Sequence, residues 1–409
     1  LKFYFPDSQD QVSPTFDFLN EEYSPFRVRQ RDDQYAHEVL TPAPYDGLLV
    51  SKAMVDGTVK GAGKYSEPQR SRLYRYGARR FFRLPDGVST LGDCGAFNYV
   101  NEEVPPHSVG EVADFYEGCR LDAGVSVDHV ILGYNRDAGL RGAPKAWKVR
   151  RDISLRYAED FLSECDRRGR PFEPVGAAQG WDPESYTDSV ARLQAMGYNK
   201  IALGGMVPLK TPDIVACLES IAEVRREEVD LHLLGVTRFD SMEVFKALGV
   251  TSFDSTSPFR QAFMDDLNNY HTESGHYTAI RVPQVDANPA VKRLVLSGEL
   301  DQRTLLRAES ACLSSLRAVN SRKATVDAAV DALEEYEQLL RVKRGYSEEY
   351  RATLTARPWR HCICTLCMQH GIEIAIFRGA ERNKRRGFHN LAILNRRMHG
   401  QRQMIEGAA

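Results

Sequence analysis

Short apolar stretches, each running into a polar residue or a glycine, recur along this chain at intervals of roughly 25–35 residues, with helix-length amphipathic stretches between them. Residues 47–53 read GLLVSKA, 89–93 STLGD, 124–128 GVSVD, 174–180 PVGAAQG and 200–205 KIALGG, followed by 231–236 and 251–254. Such brief, continuous apolar runs fit strands buried on both faces of a parallel sheet. Helices are expected between them, at about 109–120, 145–168 and 183–197. This alternation predicts an α/β chain of the (β/α)8 barrel type, with the polar strand ends gathered on one rim. Eight strands are reached only by counting residues 81–84, so closure is an inference. A doubly wound sheet is the competing architecture, but it calls for a G-x-G-x-x-G turn after its first strand, which is absent.

The expected organisation has four parts. Residues 1–46, polar and punctuated by proline, form an N-terminal cap or edge segment. Residues 47–261 form the barrel core with the active site. Residues 262–350 are a helical insertion whose clearest helix, 324–341, sets Val326, Val330, Leu333 and Leu340 on one face. Residues 351–409 form a zinc-binding subdomain and a closing helix. Hydrophobic residues at 42% and charged residues at 27% are ordinary for a water-soluble globular chain. No run is apolar enough to span a membrane and no signal peptide is visible, so a cytoplasmic protein with reduced thiols is expected.

A net charge of −2 hides an asymmetry: from Arg351 onward there are eleven Lys and Arg against three Asp and Glu. Arg378, Arg382, Lys384, Arg385 and Arg386, with Arg260, are candidates for gripping nucleic-acid phosphates. A second basic group, Arg70, Arg72, Arg75, Arg79, Arg80 and Arg83, follows a helix start at Ser66-Glu67-Pro68. A solvated surface explains either group as well.

The strand ends carry the chemistry. Asp254 closes the last apolar run and is followed by Ser255-Thr256-Ser257-Pro258. Asp93 ends STLGD, beside Cys94 and Gly95, and Asp128 ends GVSVD. Gln179 and Gly204-Gly205 end two further runs. Taken singly, each Asp serves equally well as a helix cap. Convergence of such groups on one barrel rim favours a site. Separately, Cys362-Ile363-Cys364-Thr365-Leu366-Cys367 crowds three thiols into six residues, too close for a disulfide framework and suited to a tetrahedral zinc. The fourth ligand is His389, with His370 and His361 as rivals. Four protein ligands leave no open position, so the metal would be structural.

The Cys-x-Cys-x2-Cys cluster followed by a His, the acid in GDCGAF and the acid in GVTSFDSTSPFR together resemble the tRNA-guanine transglycosylase family. The resemblance runs from about residue 48 to 398, and the opening KFYFPDSQDQV and the run GVSVDHVILG are similar to its DNA-modifying branch, the DNA 7-deazaguanine transglycosylases. It implies that Asp254 is the nucleophile and Asp93 the general acid and base. It implies that Asp128 and Gln179 read the guanine edge, that Gly204-Gly205-Met206 supplies backbone contacts, and that Leu234-Gly235 stacks on the base. Cys362, Cys364, Cys367 and His389 are the implied zinc ligands, and an ATPase is an implied partner of the DNA branch.

Departures refine the expectation. Family members that use an aminomethyl base carry a Glu shortly after Gly-Gly-Leu, where this chain has Pro208-Leu209-Lys210. A neutral nitrile base, 7-cyano-7-deazaguanine, is therefore expected. Little sequence follows the zinc motif, which leaves no room for the C-terminal RNA-binding domains of archaeal relatives. Exchange at C1′ with retention needs two displacements, so one carboxylate attacks and another group shuttles the proton. The alternatives are the same exchange on tRNA and a non-catalytic nucleic-acid-binding subunit.

Overall fold

A computed structural model describes residues 1–58 and 61–406. Its contacts divide the chain into two units, Leu1–Gln9 with Tyr45–Thr256, and Asp10–Pro44 with Ser257–Ala409.

The first unit is a closed barrel of eight parallel strands in sequential order. They are β1 (Lys2–Pro6), β2 (Gly47–Ser51), β3 (Ser89–Asp93), β4 (Ala123–Val125), β5 (Glu173–Ala178), β6 (Lys200–Leu203), β7 (Asp230–Leu233) and β8 (Val250–Asp254). Two sequence expectations are corrected. Residues 2–6 are not a cap or edge element: β1 closes the barrel by pairing with both β2 and β8, Tyr4 opposite Asp254. Residues 81–84 are not a strand, because Gly77, at φ +74°, starts a helical turn over Ala78–Phe81. The eighth strand thus comes from the first residues of the chain.

Side-chain alternation along the strands builds the interior. Tyr4, Leu49, Leu91, Ala123, Val125, Val175, Ala177 and Ala202 point inward and form one apolar cluster. Two residues further along the same face come Ser51, Asp93, Gln179 and Gly204, and Asp254 shares its face with Ser252. The apolar plug therefore gives way to polar groups at the C-terminal ends of the strands. On the outside, the Tyr116 ring packs against two strands at once. A Cβ added at Gly92 or Gly124 would lie 2.4 or 2.2 Å from that ring.

Helices α1 (Glu67–Tyr76), α2 (Val109–Gly118), α3 (Lys145–Arg167), α4 (Pro183–Met196), α5 (Thr211–Ala222) and α6 (Met242–Ala247) belong to this unit. Helix α4 shows how local sequence sets a boundary. Asp182 caps it by accepting from the Ser185 N–H at 2.7 Å, Pro183 occupies its first turn, and Gly197 ends it at φ +110°. Such a cap stabilises by about 1 kcal/mol. The buried face of α4 carries Tyr186, Val190 and Leu193, and the Tyr186 hydroxyl donates to the Gly204 carbonyl at 2.7 Å.

The second unit contains α7 (Ser257–Met264), α8 (Pro289–Leu296), α9 (Gln302–Asn320), α10 (Val326–Leu339), α11 (Ser347–Ala356), α12 (Thr365–His370) and α13 (Gly379–Glu406). Helix α7 lies on α13, so closely that a Cβ at Gly387 would sit 2.4 Å from the Phe259 ring. Residues 407–409, the end of the expected C-terminal subdomain, lie outside the described residues. No helix among the described residues is long and apolar enough to cross a membrane.

Candidate active site and metal centre

The strand-end carboxylates sit on one rim of the barrel. Asp254, 6% exposed at the end of β8, is held through one oxygen. Its Oδ1 accepts from the Gly235 N–H at 2.9 Å and lies 3.1 Å from Nε2 of His232. Gly235 has φ +72°, a conformation that glycine adopts without strain and that turns its N–H toward the carboxylate. Both contacts converge on Oδ1.

Asp93 ends β3, opposite Ser51 of β2. Burial, then the charges of Asp128 and Asp254, push its carboxyl up to about 7. The Ser51 hydroxyl and the Gly95 backbone offset part of that rise. A carboxyl poised there exchanges protons near neutrality. Gly95 follows at φ +87°, and a Cβ there would lie 2.4 Å from that of Ala53.

Asp128, 2% exposed, belongs to a polar network. Its Oδ2 accepts from Nε2 of Gln179 at 2.5 Å, and its Oδ1 accepts from the Cys94 thiol at 3.2 Å. Burial raises the Asp128 carboxyl, and these two bonds pull it back in part. Burial also holds the Cys94 thiol well above its usual range, which keeps it a donor. Tyr99 lies 2.9 Å from that thiol and donates to the Asp128 carbonyl at 3.1 Å. The Gln179 carbonyl oxygen accepts from the Ile131 N–H at 3.1 Å, which fixes the orientation of the amide. Gly204 leaves room for that amide: a Cβ there would sit 2.1 Å from Gln179 Nε2. Gly205, at φ +73°, would bring a Cβ within 2.4 Å of the Ile131 carbonyl. Met206 is buried, and Leu234 packs partly buried against the interior cluster.

Sequence reading passed over His232 and Tyr99, and noted Cys94 only as the neighbour of Asp93. His232 sits between Leu231 and Leu233, and the signal was its place as a polar residue on the inward face of an apolar strand. Tyr99 gave none, and the links of Cys94 and Tyr99 to Asp128 arise only when the chain folds.

In the second unit, Cys362, Cys364, Cys367 and His389 place their ligand atoms within 4.8 Å of one another. Nδ1 of His389 lies 3.6, 3.4 and 3.4 Å from the three sulfurs in turn. A tetrahedral zinc, with Zn–S about 2.3 Å and Zn–N about 2.0–2.1 Å, sets sulfur and nitrogen about 3.5 Å apart. Nε2 of His389 donates to the His271 carbonyl at 2.8 Å, leaving Nδ1 to bind a metal. Backbone N–H groups of Cys364 and Cys367 point at Cys362 and Cys364 sulfurs, at 3.5 and 3.4 Å, and Arg396 donates to Cys362 at 3.3 Å. The residues present therefore fit a four-ligand metal ion, and His361 and His370 stand outside the cluster.

Four of the arginines expected to grip phosphates are instead buried in the fold. Arg378, Arg382, Arg385 and Arg386 are at most 6% exposed. Arg378 binds Glu21, Glu309 and the Val282 and Pro283 carbonyls. Arg382 binds Glu21, Glu373 and the Phe18 carbonyl. Arg385 binds Glu381 and the Ser13 carbonyl, and Arg386 donates to the Ala262, Ile374 and Ile376 carbonyls. Arg378, Arg382 and Arg385 tie residues 10–44 to the start of α13, and all four guanidinium groups are engaged within the protein. Lys384 is half-buried and donates to the Gln11 carbonyl at 3.3 Å, whereas Arg260 is exposed. Of the other basic group, Arg79 donates to the Val88 carbonyl at 3.0 Å. It lines an open hollow with Arg80, Arg83 and Arg120. That hollow lies where β3 and β4 begin, at the barrel end away from the carboxylates.

No family model matches the chain. It is 48% identical over 404 residues, 97% of this chain and 96% of the other, to a Salmonella montevideo protein named DNA-guanine transglycosylase.

Proposed function

Because the chain belongs to the DNA-guanine transglycosylase family, we propose that it exchanges guanine in DNA for 7-cyano-7-deazaguanine by double displacement. It is an enzyme of the pentosyltransferase type. Asp254 attacks C1′ through Oδ2 and the C1′–N9 bond breaks, its electrons leaving with guanine. Asp93 protonates the departing base. The second base then gives its proton to Asp93, attacks C1′ and displaces Asp254. One residue thus serves as acid and then as base, a task that suits a carboxyl poised at about 7. An oxocarbenium-like transition state also gains from the nearby negative charge.

Asp128 and Gln179 read the base edge, since a carboxylate accepts from a guanine ring N–H and amino group while the amide orients it. Met206 and Leu209 are buried and Val207 and Pro208 exposed along the segment after Gly205, which carries no carboxylate to pair with an ammonium substituent. A nitrile meets no such need. The base must leave the stack before attack, at a cost on the order of a few kcal/mol. Zinc held by Cys362, Cys364, Cys367 and His389 supplies a structural crosslink. The ATPase partner follows from the family resemblance.

The observation that carries this reading is the pairing, on one rim, of an acid poised near neutrality with a carboxylate held through one oxygen. Labelled guanine offered with duplex DNA or with tRNA tests it. Incorporation into DNA, lost in Asp254→Asn, is expected. Incorporation into tRNA alone would overturn the choice of polymer.

A further inference from the structure

His232 faces inward from β7, beneath Asp254, and is 1% exposed. Its Nε2 lies 3.1 Å from Oδ1 of Asp254, and its Nδ1 lies 2.8 Å from the Ser252 hydroxyl, two residues before Asp254 on the same face of β8. The Tyr4 ring stands edge-on to it, 5.7 Å away between centroids. A carboxylate only accepts, so Nε2 carries the proton. The Ser252 hydroxyl then donates to Nδ1 and fixes that tautomer.

We propose that His232 is the positioning residue of the nucleophile: it clamps Oδ1, directs attack through Oδ2, and keeps the glycosyl-enzyme shallow so that Asp254 leaves again. This inference rests on the covalent reading above. During attack an Oδ2 lone pair forms the C1′–O bond, the C1′–N9 electrons leave with guanine, and Asp93 supplies its proton. Asp254 turns from a charged carboxylate into a neutral ester, with Oδ1 as the ester carbonyl. A donor bonds a charged oxygen roughly twice as strongly as a neutral one. The His232 bond therefore favours the free carboxylate over the ester, and the transition state lies between them. Its removal raises the free carboxylate most and the ester least. Attack then becomes easier, the return harder, and the adduct accumulates. Mere misplacement of Asp254 would slow both directions alike and leave their ratio unchanged.

The test uses the full chain, a guanine-containing DNA and free guanine, so that the second base equals the first and nitrile preference plays no part. The ratio of covalent DNA–protein adduct to free enzyme is read on a denaturing gel. His232→Phe is expected to raise that ratio about tenfold, the margin between a charge-assisted and a neutral hydrogen bond. His232→Gln, whose amide reaches the place of Nε2, should restore it. If His232→Phe fails to fold, His232→Asn replaces it, because its amide reaches only the place of Nδ1. An unchanged ratio with slower exchange, or a Gln variant that behaves like Phe, would overturn the role of His232. A wild-type chain that exchanges guanine without any adduct would overturn the covalent reading and this inference with it.

Discussion

Asp93 is the residue whose environment makes the sharpest demands. Its carboxyl moves from an ordinary 3.8 to about 7, chiefly through burial and then through Asp128 and Asp254. The folded chain thus holds this proton more tightly than the unfolded chain. The stability this confers is complete below about 3.8, drains away as pH rises, and is gone above about 7. Asp93→Asn should therefore melt higher than wild type at pH 8, by on the order of 1–2 kcal/mol once screening at this half-buried group is allowed for, with the gap closing toward pH 5. Thermal melts across that range check the sign. In single-turnover assays, adduct formation should fall as pH rises through about 7, because Asp93 must then be protonated. Adduct resolution should fall as pH drops through the same value. A shared optimum in both half-reactions would remove Asp93 from the proton shuttle. Asp254→Asn should abolish exchange, by at least about 1000-fold, while leaving the melt unchanged, as the proposed nucleophilic role requires. The three aspartates and Gln179 were legible because each ends an apolar run. Their mutual effects were not, because pKa shifts come from neighbours on other strands.

At the scale of elements, legibility followed the range of the determining contacts. Helix α3, expected at 145–168, spans Lys145–Arg167, because its amphipathic period is written locally. The role of β1 was hidden, since the alternation in KFYFP marks a strand but not its partner some 250 residues away at β8. The basic block of α13 misled for the same reason. Arg378 and Arg382, at its start, looked free because Glu21 and Glu309, which pair with them, are distant in sequence. Arg382→Ala should thus destabilise the fold by about 1.5–3 kcal/mol, since Glu21 and Glu373 lose a charged hydrogen-bond donor but keep Arg378 and Arg317, a loss that urea unfolding would register. A phosphate-gripping arginine would leave stability intact and weaken DNA binding alone. The metal motif was legible, since three thiols in six residues mark it whatever the fold. Purified protein should carry one zinc per chain by elemental analysis. Chelation or Cys364→Ser should lower the melting temperature rather than block exchange at once. If metal-free and metal-bound protein melt alike, the site is not structural.

For the molecule as a whole, family membership, barrel topology and the rim chemistry point to one activity, base exchange in DNA. Composition contributed little, because a near-neutral chain with ordinary hydrophobicity fits many functions. Polymer choice was the least legible property, since the contacts that tell DNA from RNA involve a 2′-hydroxyl that no residue pattern announces. The direct measurement is a nucleoside digest of plasmid DNA from cells that express this chain, the proposed ATPase partner and a supply of 7-cyano-7-deazaguanine. A 7-deazaguanine deoxynucleoside that disappears with Asp254→Asn is the predicted result. Unmodified DNA, with the modified base in tRNA instead, would contradict the account.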